Sequence, residues 1–555
     1  MPTLDANYFN GRPRFSNIEQ AALATAGDLQ SAWQTALRGD LVTALQGITG
    51  DFAIGMRGPG GRTILAVDRF AVRSLCYRIT EGQLKFAAGA DQLAERTADI
   101  DPQAIFDYLY FHDIPSPRTI FQGVYRLPPG HFAVFENGQI TVQPYWVPEF
   151  VESRVASLAD LKVEFKNLLQ AAVSQELDNG APACFLSGGT DSSTVAGMAS
   201  LASGKTVATY SIGFDAQGYD EMEFARLAAK HFKTDHHEYY VTPSDLVQYI
   251  PTVAAYYDQP FGNSSALPAY CCAIKAREDG ISKILAGDGG DELFGGNTRY
   301  AKQTVFGWYD AMPSGLRSGL LEPVARQPLF GQVPLLRKAT SYVNQAKVPM
   351  PDRLMTYNLL FRLGVEDVLT PELLAKVDQN DPARQQRQVW AQARTDKLVN
   401  KMLAFDWRYT LAECDLPKVV GTTALAGLEV GFPMLNDDLL AFSLRLPSSY
   451  KLRNLKLRWF FKEALRSFLP DEIITKKKQG FGLPFGIWAT TNAELKALAS
   501  DSLTSLARRG VVRTEFVQHL MNERLAEHPG YYGEMVWILM MLEQWFMAKA
   551  PHFRL

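Results

Sequence analysis

From residue 158 to residue 287, short apolar runs typical of strands alternate with longer stretches of helical periodicity. The runs "ACFLS", "TVATYSIGF", "HHEYYV" and "SKILAG" predict strands, and the segments between them are long enough for helices. Strands joined by helical crossovers of this length pair in parallel. This part of the chain therefore predicts a doubly wound α/β sheet, followed beyond Arg299 by an almost wholly helical region.

The first 150 residues predict a different module. Short runs rich in branched and aromatic residues, "DFAIGMR", "RTILAVD", "SLCYRI" and "LKFAAG", are separated by Gly-rich turns and predict strands. "DPQAIFDYLYFHD" predicts a helix that begins at Asp101-Pro102, and "HFAVFENGQITVQPYW" predicts a hairpin that turns at Asn137-Gly138. We therefore predict an antiparallel sheet domain over 1–150 and a larger α/β domain over 151–555.

Composition excludes several classes of protein. The net charge of −3 gives no reason to expect a nucleic-acid or membrane-surface partner. The longest apolar runs, such as 536–541, are too short to span a bilayer, and the first residues have no apolar signal core. Five cysteines without a CxxC pair argue against a disulfide framework or a zinc site. We expect a cytoplasmic protein.

The stretch "FLSGGTDSS" joins a predicted strand to a predicted helix, the geometry in which backbone N–H groups bind phosphate. The lysine of a Walker A loop is missing, so γ-phosphate chemistry of that kind is not indicated. Asp191 suits a ligand of the Mg²⁺ that accompanies phosphates. An ordinary Gly/Ser-rich turn is the alternative. The small residues that let the backbone approach a pyrophosphate are Ser187, Gly188, Gly189, Ser192 and Ser193.

A second glycine-rich loop, "ILAGDGGDELFGG", also follows a predicted strand and carries Asp288, Asp291 and Glu292. Ligands of doubly wound sheets lie beyond the carboxyl ends of the strands, so both loops are expected to open into one crevice. Asp191 and Asp291 would then face the same pyrophosphate through Mg²⁺. A Ca²⁺ loop is the alternative, but the EF-hand spacing is not met.

Together with "GLEVGFPMLND" and "KKKQGFGLP", these two loops give the chain its resemblance to the asparagine synthetase family of ATP-pyrophosphatase-type amide ligases, which includes β-lactam synthetases. The resemblance covers nearly the whole chain. It implies an N-terminal Ntn-hydrolase-like domain of the glutamine amidotransferase kind and a C-terminal adenine-nucleotide α-hydrolase-like domain. It also implies a reaction in which ATP adenylates a carboxylate, pyrophosphate leaves with Mg²⁺, and ammonia or an amine attacks to give an amide and AMP.

The resemblance assigns roles residue by residue. Asp191 and Asp291 match the carboxylates that hold Mg²⁺ and pyrophosphate, and Asp288 matches the position that faces the acyl-adenylate and the incoming amine. Lys478 matches a lysine that stabilises charge in the reaction, although a solvated basic run is the alternative. Glu429 is expected to orient the amine or Lys478, with a plain surface glutamate as its alternative. The other ATP- and pyrophosphate-binding positions are Leu186, Ser187, Gly189, Ser192, Ile212, Gly213 and Gly287.

The first half departs from the family pattern. The family's glutaminase uses a cysteine nucleophile at position 2, whereas this sequence has Pro2 and no cysteine before Cys76. Arg12 falls where a glutamine-binding glutamate usually stands, and Cys76 is expected to be a packed core residue. We therefore expect a glutaminase-like module kept for structure or docking. A wrongly placed gene start is the alternative, and the enzyme would then be a glutamine-dependent asparagine synthetase.

The second half departs from the family pattern near the site expected to bind the acyl group. Val420-Gly421 replaces an Asp-Arg pair, Gly431 replaces an arginine and Asn436 replaces an aspartate. Losing two arginines weakens the case for aspartate as substrate, and the glycines are expected to leave room for something larger. An intramolecular cyclase of the β-lactam or lasso-peptide type stays open. So do the nitrogen source and the oligomeric state, for which a homodimer is one option. A non-catalytic nucleotide-binding protein is disfavoured by the acids that face phosphate.

Overall fold

The computed structural model describes residues 7–95, 99–152, 157–177, 182–216, 218–310, 312–313, 342–477 and 482–555. Antiparallel sheets come first along the chain, then a parallel sheet, and then a long helical region, which confirms the predicted α/β fold class. In chain order the strands of the first half are β1 (Tyr8–Gly11), β2 (Arg14–Phe15), β3 (Ile48–Thr49), β4 (Phe52–Arg57), β5 (Thr63–Val67), β6 (Cys76–Thr80), β7 (Gln83–Ala87), β8 (Val124–Arg126), β9 (His131–Glu136) and β10 (Gln139–Pro144).

Two antiparallel sheets form the first half. One has the order β1-β4-β5-β9-β10 and the other the order β7-β6-β8, while β2 and β3 pair separately. The four predicted strands coincide with β4 to β7. The predicted hairpin is β9–β10, and Asn137 and Gly138 at its turn both have positive φ, as a primed turn requires. The predicted helix is Pro102–Phe111, and the Asp101 side chain accepts a hydrogen bond from its first turn.

The two sheets pack face to face, with Leu65 of β5 and Phe86 of β7 in one apolar cluster. Three short helices cover the other face of the larger sheet, and there the Trp33 ring packs edge-on against Phe52 at 5.2 Å. The sequence does not predict these helices individually, because each spans at most 8 residues and shows little periodicity. They are Ile18–Thr25, Leu29–Ala36 and Leu41–Gln46.

The second half contains a five-stranded parallel sheet with the order β13-β12-β11-β14-β15. Its strands are β11 (Ala183–Phe185), β12 (Ala208–Phe214), β13 (Asp235–Val241), β14 (Lys283–Leu285) and β15 (Glu429–Gly431). The strand order reverses between β11 and β14, and this is where a crevice opens at the carboxyl ends of the strands. β15 is a short strand within the region predicted to be almost wholly helical. A strand of three residues has too little alternation to show in the sequence and forms by pairing with β14.

A short hairpin, β16 (Leu452–Arg453) and β17 (Lys456–Leu457), is a second strand feature in the helical region. Two π-helical stretches, Trp407–Asp415 and Leu520–Arg524, continue the helices before them. The described α-helices of the second half are Leu158–Glu176, Thr190–Ser203, Met222–Phe232, Pro243–Tyr256, Ala266–Glu278, Gly290–Phe294, Thr298–Asp310, Leu359–Leu363, Val365–Val368, Pro371–Leu374, Asp381–Gln392, Leu398–Asp406, Leu416–Leu425, Asp437–Arg445, Ser448–Lys451, Trp459–Ala464, Asp471–Thr475, Phe485–Thr491, Ala493–Arg508, Thr514–His519, Leu525–Glu527 and Pro529–Lys549.

The two halves share an apolar core. The last helix is buried along most of its length, and it packs in one cluster with Cys76 and Ile105 of the first half. Across the same interface the Tyr108 hydroxyl donates to the Ile538 carbonyl at 2.8 Å. Within the second half, the Trp545 indole donates to the Tyr257 carbonyl at 3.1 Å. In the described part of the chain, no helix combines the length and apolar character needed to cross a membrane.

Candidate active site

The first glycine-rich loop lies between β11 and the helix Thr190–Ser203, as predicted. Gly188 has a φ of 69°, and a Cβ there would lie 2.5 Å from the backbone nitrogen of Ala225, so only glycine fits. The Ser192 hydroxyl accepts a hydrogen bond from the Ser187 N–H at 3.1 Å and closes the loop. Among the described side chains none caps this helix at Gly189. The N–H groups of its first turn are therefore available to an anion.

The second glycine-rich loop packs directly against the first. A Cβ at Gly287 would lie 2.8 Å from the Ser192 nitrogen, and a Cβ at Gly290 would overlap the Asp191 carboxylate. These glycines are required because the two loops approach each other so closely. The structure thus brings Asp191 and Asp291 into one crevice beyond β11 and β14, where the sequence predicts that both loops open.

Arg458 lies between these two carboxylates. Its Nη1 lies 2.6 Å from Asp191 Oδ2 and 2.9 Å from Asp291 Oδ1, and it donates to the Thr190 hydroxyl at 2.8 Å. Its Nη2 forms a further ion pair with Asp191. Arg458 follows the β16–β17 hairpin and is 4 % exposed. Sequence reasoning missed this residue, because nothing in "RNLKLR" distinguishes it from a surface arginine.

The crevice widens into a cleft of about 920 Å³, within the size range of small-molecule sites. Its basic side chains suit a polyanionic ligand. Of the predicted residues, those that line it are Ser187, Gly189, Asp191, Ser192, Gly287, Asp288 and Asp291. Residues that line it without having been singled out include Glu221, Asp415, Lys418, Arg458, Lys462, Arg466, Lys476 and Lys477.

Asp288 belongs to the second glycine-rich loop and faces Lys418, which lies in the helix Leu416–Leu425. Lys418 Nζ lies 3.7 Å from Asp288 Oδ1 and donates to Asp415 Oδ1 at 2.9 Å. Burial raises the pKa of Asp288 to about 6, while the Lys418 ammonium lowers it. Asp288 is therefore a carboxyl group that can change protonation state close to neutral pH. The sequence contains Lys418 in "PKVVGTT", but its position against Asp288 depends on how the helix Leu416–Leu425 packs.

The donor set at Asp191 and Asp291 fits the Mg²⁺ that the family implies. Mg²⁺ is usually held by one or two carboxylates together with phosphate oxygens. No cluster of three or more metal-ligating side chains occurs in the described residues, so phosphate oxygens would complete the coordination. Both carboxylates already point at a single cationic nitrogen of Arg458, which shows that they can share one positive centre.

Five predicted residues stand behind the cleft surface. Leu186 and Ile212 lie in or next to the central strands, and the Ser211 hydroxyl donates to the Leu186 carbonyl. Gly188 allows the positive φ that the loop requires. Gly213 packs against Tyr240, because a Cβ there would lie 2.7 Å from the ring. Ser193 corrects the prediction. Its side chain points into the protein and is fully buried, so it does not reach a ligand.

Lys478, the predicted charge-stabilising lysine, lies outside the described residues. The residues just before it approach the cleft, because Lys476 and Lys477 both line it. Lys476 Nζ lies 2.9 Å from Glu221 Oε1 and packs over the Phe224 ring at 4.2 Å. Lys476 and Lys477 therefore form part of the cleft wall.

Glu429 is not in the cleft, contrary to its predicted catalytic role. It begins β15 and pairs in register with Lys283, at the end of the parallel sheet opposite the glycine-rich loops. Its side chain is 60 % exposed and forms an ion pair with Arg12 at 2.5 Å. This position favours the plain surface glutamate over the catalytic one, because the amino end of β15 lies at the opposite edge of the sheet from the carboxyl ends that lead into the loops.

Gly421 and Gly431, which replace arginines of the family pattern, do not open space for a larger substrate. A Cβ at Gly421 would lie 2.7 Å from the Tyr257 ring, and a Cβ at Gly431 would lie 2.6 Å from Glu176 Oε2. Neighbouring side chains already fill the volume that the sequence suggested would be empty. The expectation of extra room is therefore wrong at both positions.

In the glutaminase-like half, Cys76 is fully buried in β6, which confirms its reading as a core residue. Burial raises the pKa of its thiol to about 12, so the thiolate is not populated near neutral pH. Arg12, at the position of the family's glutamine-binding glutamate, joins the two halves through Glu429. All five cysteines of the chain are free.

Two family models match the two halves of the chain. The asparagine synthase family model matches residues 164–547, and the glutamine amidotransferase domain model matches residues 29–146. The chain belongs to the asparagine synthase family. Members of this family are ATP-dependent ligases that form amide C–N bonds and yield AMP and pyrophosphate, and this enzyme is one of them.

Several curated relatives span most of the chain. "Asparagine synthetase [glutamine-hydrolyzing] 1" of Bacillus subtilis is 24% identical over 486 residues, which cover 86% of this chain and 74% of that protein. A "Putative asparagine synthetase [glutamine-hydrolyzing]" of Mycobacterium tuberculosis is 24% identical over 564 residues, or 98% and 83% of the two chains. "Amidase chry2" of Gibberella zeae is 24% identical over 493 residues, or 80% and 70%.

Proposed function

We propose that this asparagine synthase family enzyme adenylates a carboxylate in the cleft and transfers the acyl group to ammonia or an amine, without glutaminase activity of its own. The supporting observation is the junction of the two glycine-rich loops, where Asp191 and Asp291 converge on one cationic nitrogen beside a helix N-terminus. We place this chemistry in a domain over 151–555 and assign a docking role to the domain over 1–150.

In this proposal the first loop binds the departing pyrophosphate. The N–H groups around Gly189 and the hydroxyls of Ser187 and Ser192 donate to its oxygens. Asp191 and Asp291 would hold Mg²⁺, which when bound neutralises charge that develops on the pyrophosphate. Backbone groups of Leu186, Ile212, Gly213 and Gly287 hold the adenine and ribose, a role taken from the family.

Asp288 acts on the second half-reaction. Ionised, it accepts a hydrogen bond from the attacking nitrogen and takes the proton that this nitrogen loses. Lys418 and Asp415 position it, and Lys418 favours its ionised form. Lys478 remains our proposed group for stabilising charge on the reacting phosphate and carbonyl.

Glutamine-dependent asparagine synthesis is the second candidate, because the bacterial relatives carry the words glutamine-hydrolyzing in their names. Cys76 does not supply the nucleophile for that reaction, because it is buried and burial raises the pKa of its thiol to about 12. Glutamine hydrolysis to glutamate by the purified protein would support this second candidate and refute the docking role of the first half.

The ligase proposal is tested by pyrophosphate release from Mg-ATP with a panel of carboxylates, each with and without ammonium. Asp191→Asn should lower the rate by about 100-fold, since a metal-binding carboxylate supplies several kcal/mol of stabilisation. Asp501→Asn, an exposed aspartate on the helix Ala493–Arg508, is the matched control and should leave the rate unchanged. Equal activity of the two variants would remove Asp191 from the proposed site.

A further inference from the structure

We infer that Arg458 and Mg²⁺ compete for Asp191 and Asp291, and that Arg458 turns to the pyrophosphate when the metal binds. Arg458 would thereby make metal binding depend on the phosphate ligand. The inference rests on the proposed function, because it takes Asp191 and Asp291 as the carboxylates that receive Mg²⁺.

The competition follows from distances. One nitrogen of Arg458, Nη1, lies 2.6 Å from Asp191 Oδ2 and 2.9 Å from Asp291 Oδ1, so it occupies the position between the two carboxylates. Mg²⁺ binds oxygen at about 2.0–2.1 Å and would need the same position. A guanidinium and a metal ion cannot both be there, because their volumes overlap and their charges repel.

The backbone of Arg458 is held in place, while its guanidinium is incompletely hydrogen-bonded. The backbone N–H donates to the Gly295 carbonyl of the second loop at 3.1 Å, and φ is 56°, the left-handed region that few non-glycine residues adopt. The buried Nε has no hydrogen-bond partner among the described residues, so the guanidinium is not fully satisfied where it lies. Phe461 packs at 4.0 Å against its flat face.

The cleft offers Arg458 a second set of partners. Arginine presents a planar fork that matches phosphate oxygens, whereas lysine presents a point charge. Lys462 lines the cleft one helical turn later. A pyrophosphate beside Thr190 would therefore meet Arg458 and Lys462 from the same wall.

Charge balance explains why the two ligands should bind together. Metal alone would bring two positive charges to a pair of aspartates that Arg458 already neutralises in part. Pyrophosphate supplies the negative charge that lets both cations remain. Each ligand thus favours the other, and the coupling is reciprocal.

Mn²⁺ is a suitable probe, because electron paramagnetic resonance counts its free and bound forms without any turnover. We would measure its dissociation constant in the whole protein, and separately the binding of inorganic pyrophosphate at a fixed free Mn²⁺ concentration by equilibrium dialysis. Arg458→Met should bind Mn²⁺ alone about tenfold more tightly and pyrophosphate about tenfold more weakly, within the usual range of coupling between ligands. A purely structural role would weaken both.

Arg453→Met is the matched control. Arg453 is exposed on the same β16–β17 hairpin, where it packs over the Trp459 ring at 4.3 Å, and its removal should change neither constant. If Arg458→Met does not fold, Arg458→Lys replaces it. The lysine should still pair with both acids but bind pyrophosphate more weakly, since it lacks the fork.

Weaker Mn²⁺ binding by Arg458→Met, or pyrophosphate binding left unchanged by Arg458→Met or Arg458→Lys, would overturn the inference. These outcomes are separate from failure of the proposed function. If the wild type released no pyrophosphate from ATP with any carboxylate, the ligase proposal would fall, while the two binding measurements would still decide the role of Arg458.

Discussion

The backbone N–H of Gly50 donates a 2.8 Å hydrogen bond to Asp437 Oδ2, across 387 positions of sequence. Asp437 also forms an ion pair with Arg69 at 2.6 Å, so one carboxylate holds the glutaminase-like half against the parallel-sheet half. The contact lies at the first turn of the helix Asp437–Arg445, where a carboxylate is also favoured by the helix dipole.

Asp437→Ala should destabilise the protein. Removing this carboxylate leaves the Gly50 N–H without its acceptor and the partly buried Arg69 without its anionic partner, although Arg69 still donates to the Ile48 and Gln46 carbonyls, and such a loss typically costs about 2–4 kcal/mol. Urea denaturation followed by tryptophan fluorescence measures the loss. Asp438→Ala, the next residue and an exposed one, is the control and should cost less than about 0.5 kcal/mol. Similar losses in both variants would show that Asp437 does not join the halves.

Glu429→Gln should leave the rate of ATP–pyrophosphate exchange within about twofold of the wild-type rate. Glu429 lies at the end of the parallel strands opposite the cleft, and substitutions on the surface usually have effects this small. Its ion pair with Arg12 is largely exposed, at 60 % and 48 % for the two side chains, and contributes at most about 1 kcal/mol. Arg12→Gln is the paired variant. A large loss of exchange in Glu429→Gln alone would restore the catalytic role that the sequence suggested.

The rate of amide formation should fall as pH drops through about 6, the value to which burial raises the pKa of Asp288. The ionised carboxylate is the form that takes a proton, so activity is retained above this pH and lost below it. Lys418→Met should move the midpoint to higher pH, because the Lys418 ammonium lowers the pKa of Asp288.

The control for this pH profile is Lys397→Met, since Lys397 is 53 % exposed and pairs with the neighbouring Asp396. It should keep the wild-type midpoint. Loss of packing alone would lower the rate of Lys418→Met at every pH without moving its midpoint. A midpoint that stays in place would therefore separate Lys418 from the protonation of Asp288.

Gly421→Ala should destabilise the helix Leu416–Leu425 by about 1–3 kcal/mol, since the new Cβ would lie 2.7 Å from the buried Tyr257 ring. Gly307→Ala provides the comparison, because among the described residues its Cβ would meet only Leu398, at 3.5 Å. That variant should be neutral or slightly stabilised, as alanine favours a helix over glycine. Thermal unfolding of both variants decides the matter, and an unaffected Gly421→Ala would mean that space exists there.

Local pattern in the sequence was enough to predict the α/β architecture and to single out the two glycine-rich loops that meet in the cleft. The spacing of apolar residues distinguishes strands from helices along the chain itself. The antiparallel half, the parallel sheet and the hairpin at Asn137-Gly138 could therefore be predicted from the residues. Gly188 of the first loop is likewise a local requirement, because its backbone has positive φ and leaves no room for a Cβ.

Tertiary structure alone decided which distant residues meet at the site. Arg458 reaches Asp191 from 267 positions away, Lys418 faces Asp288, and Glu429 turns to the opposite end of its strand. The space beside Gly421 is likewise occupied by Tyr257, which the sequence places far away. Such contacts depend on how helices and short strands pack around the sheet, and packing leaves no periodic signal in the sequence.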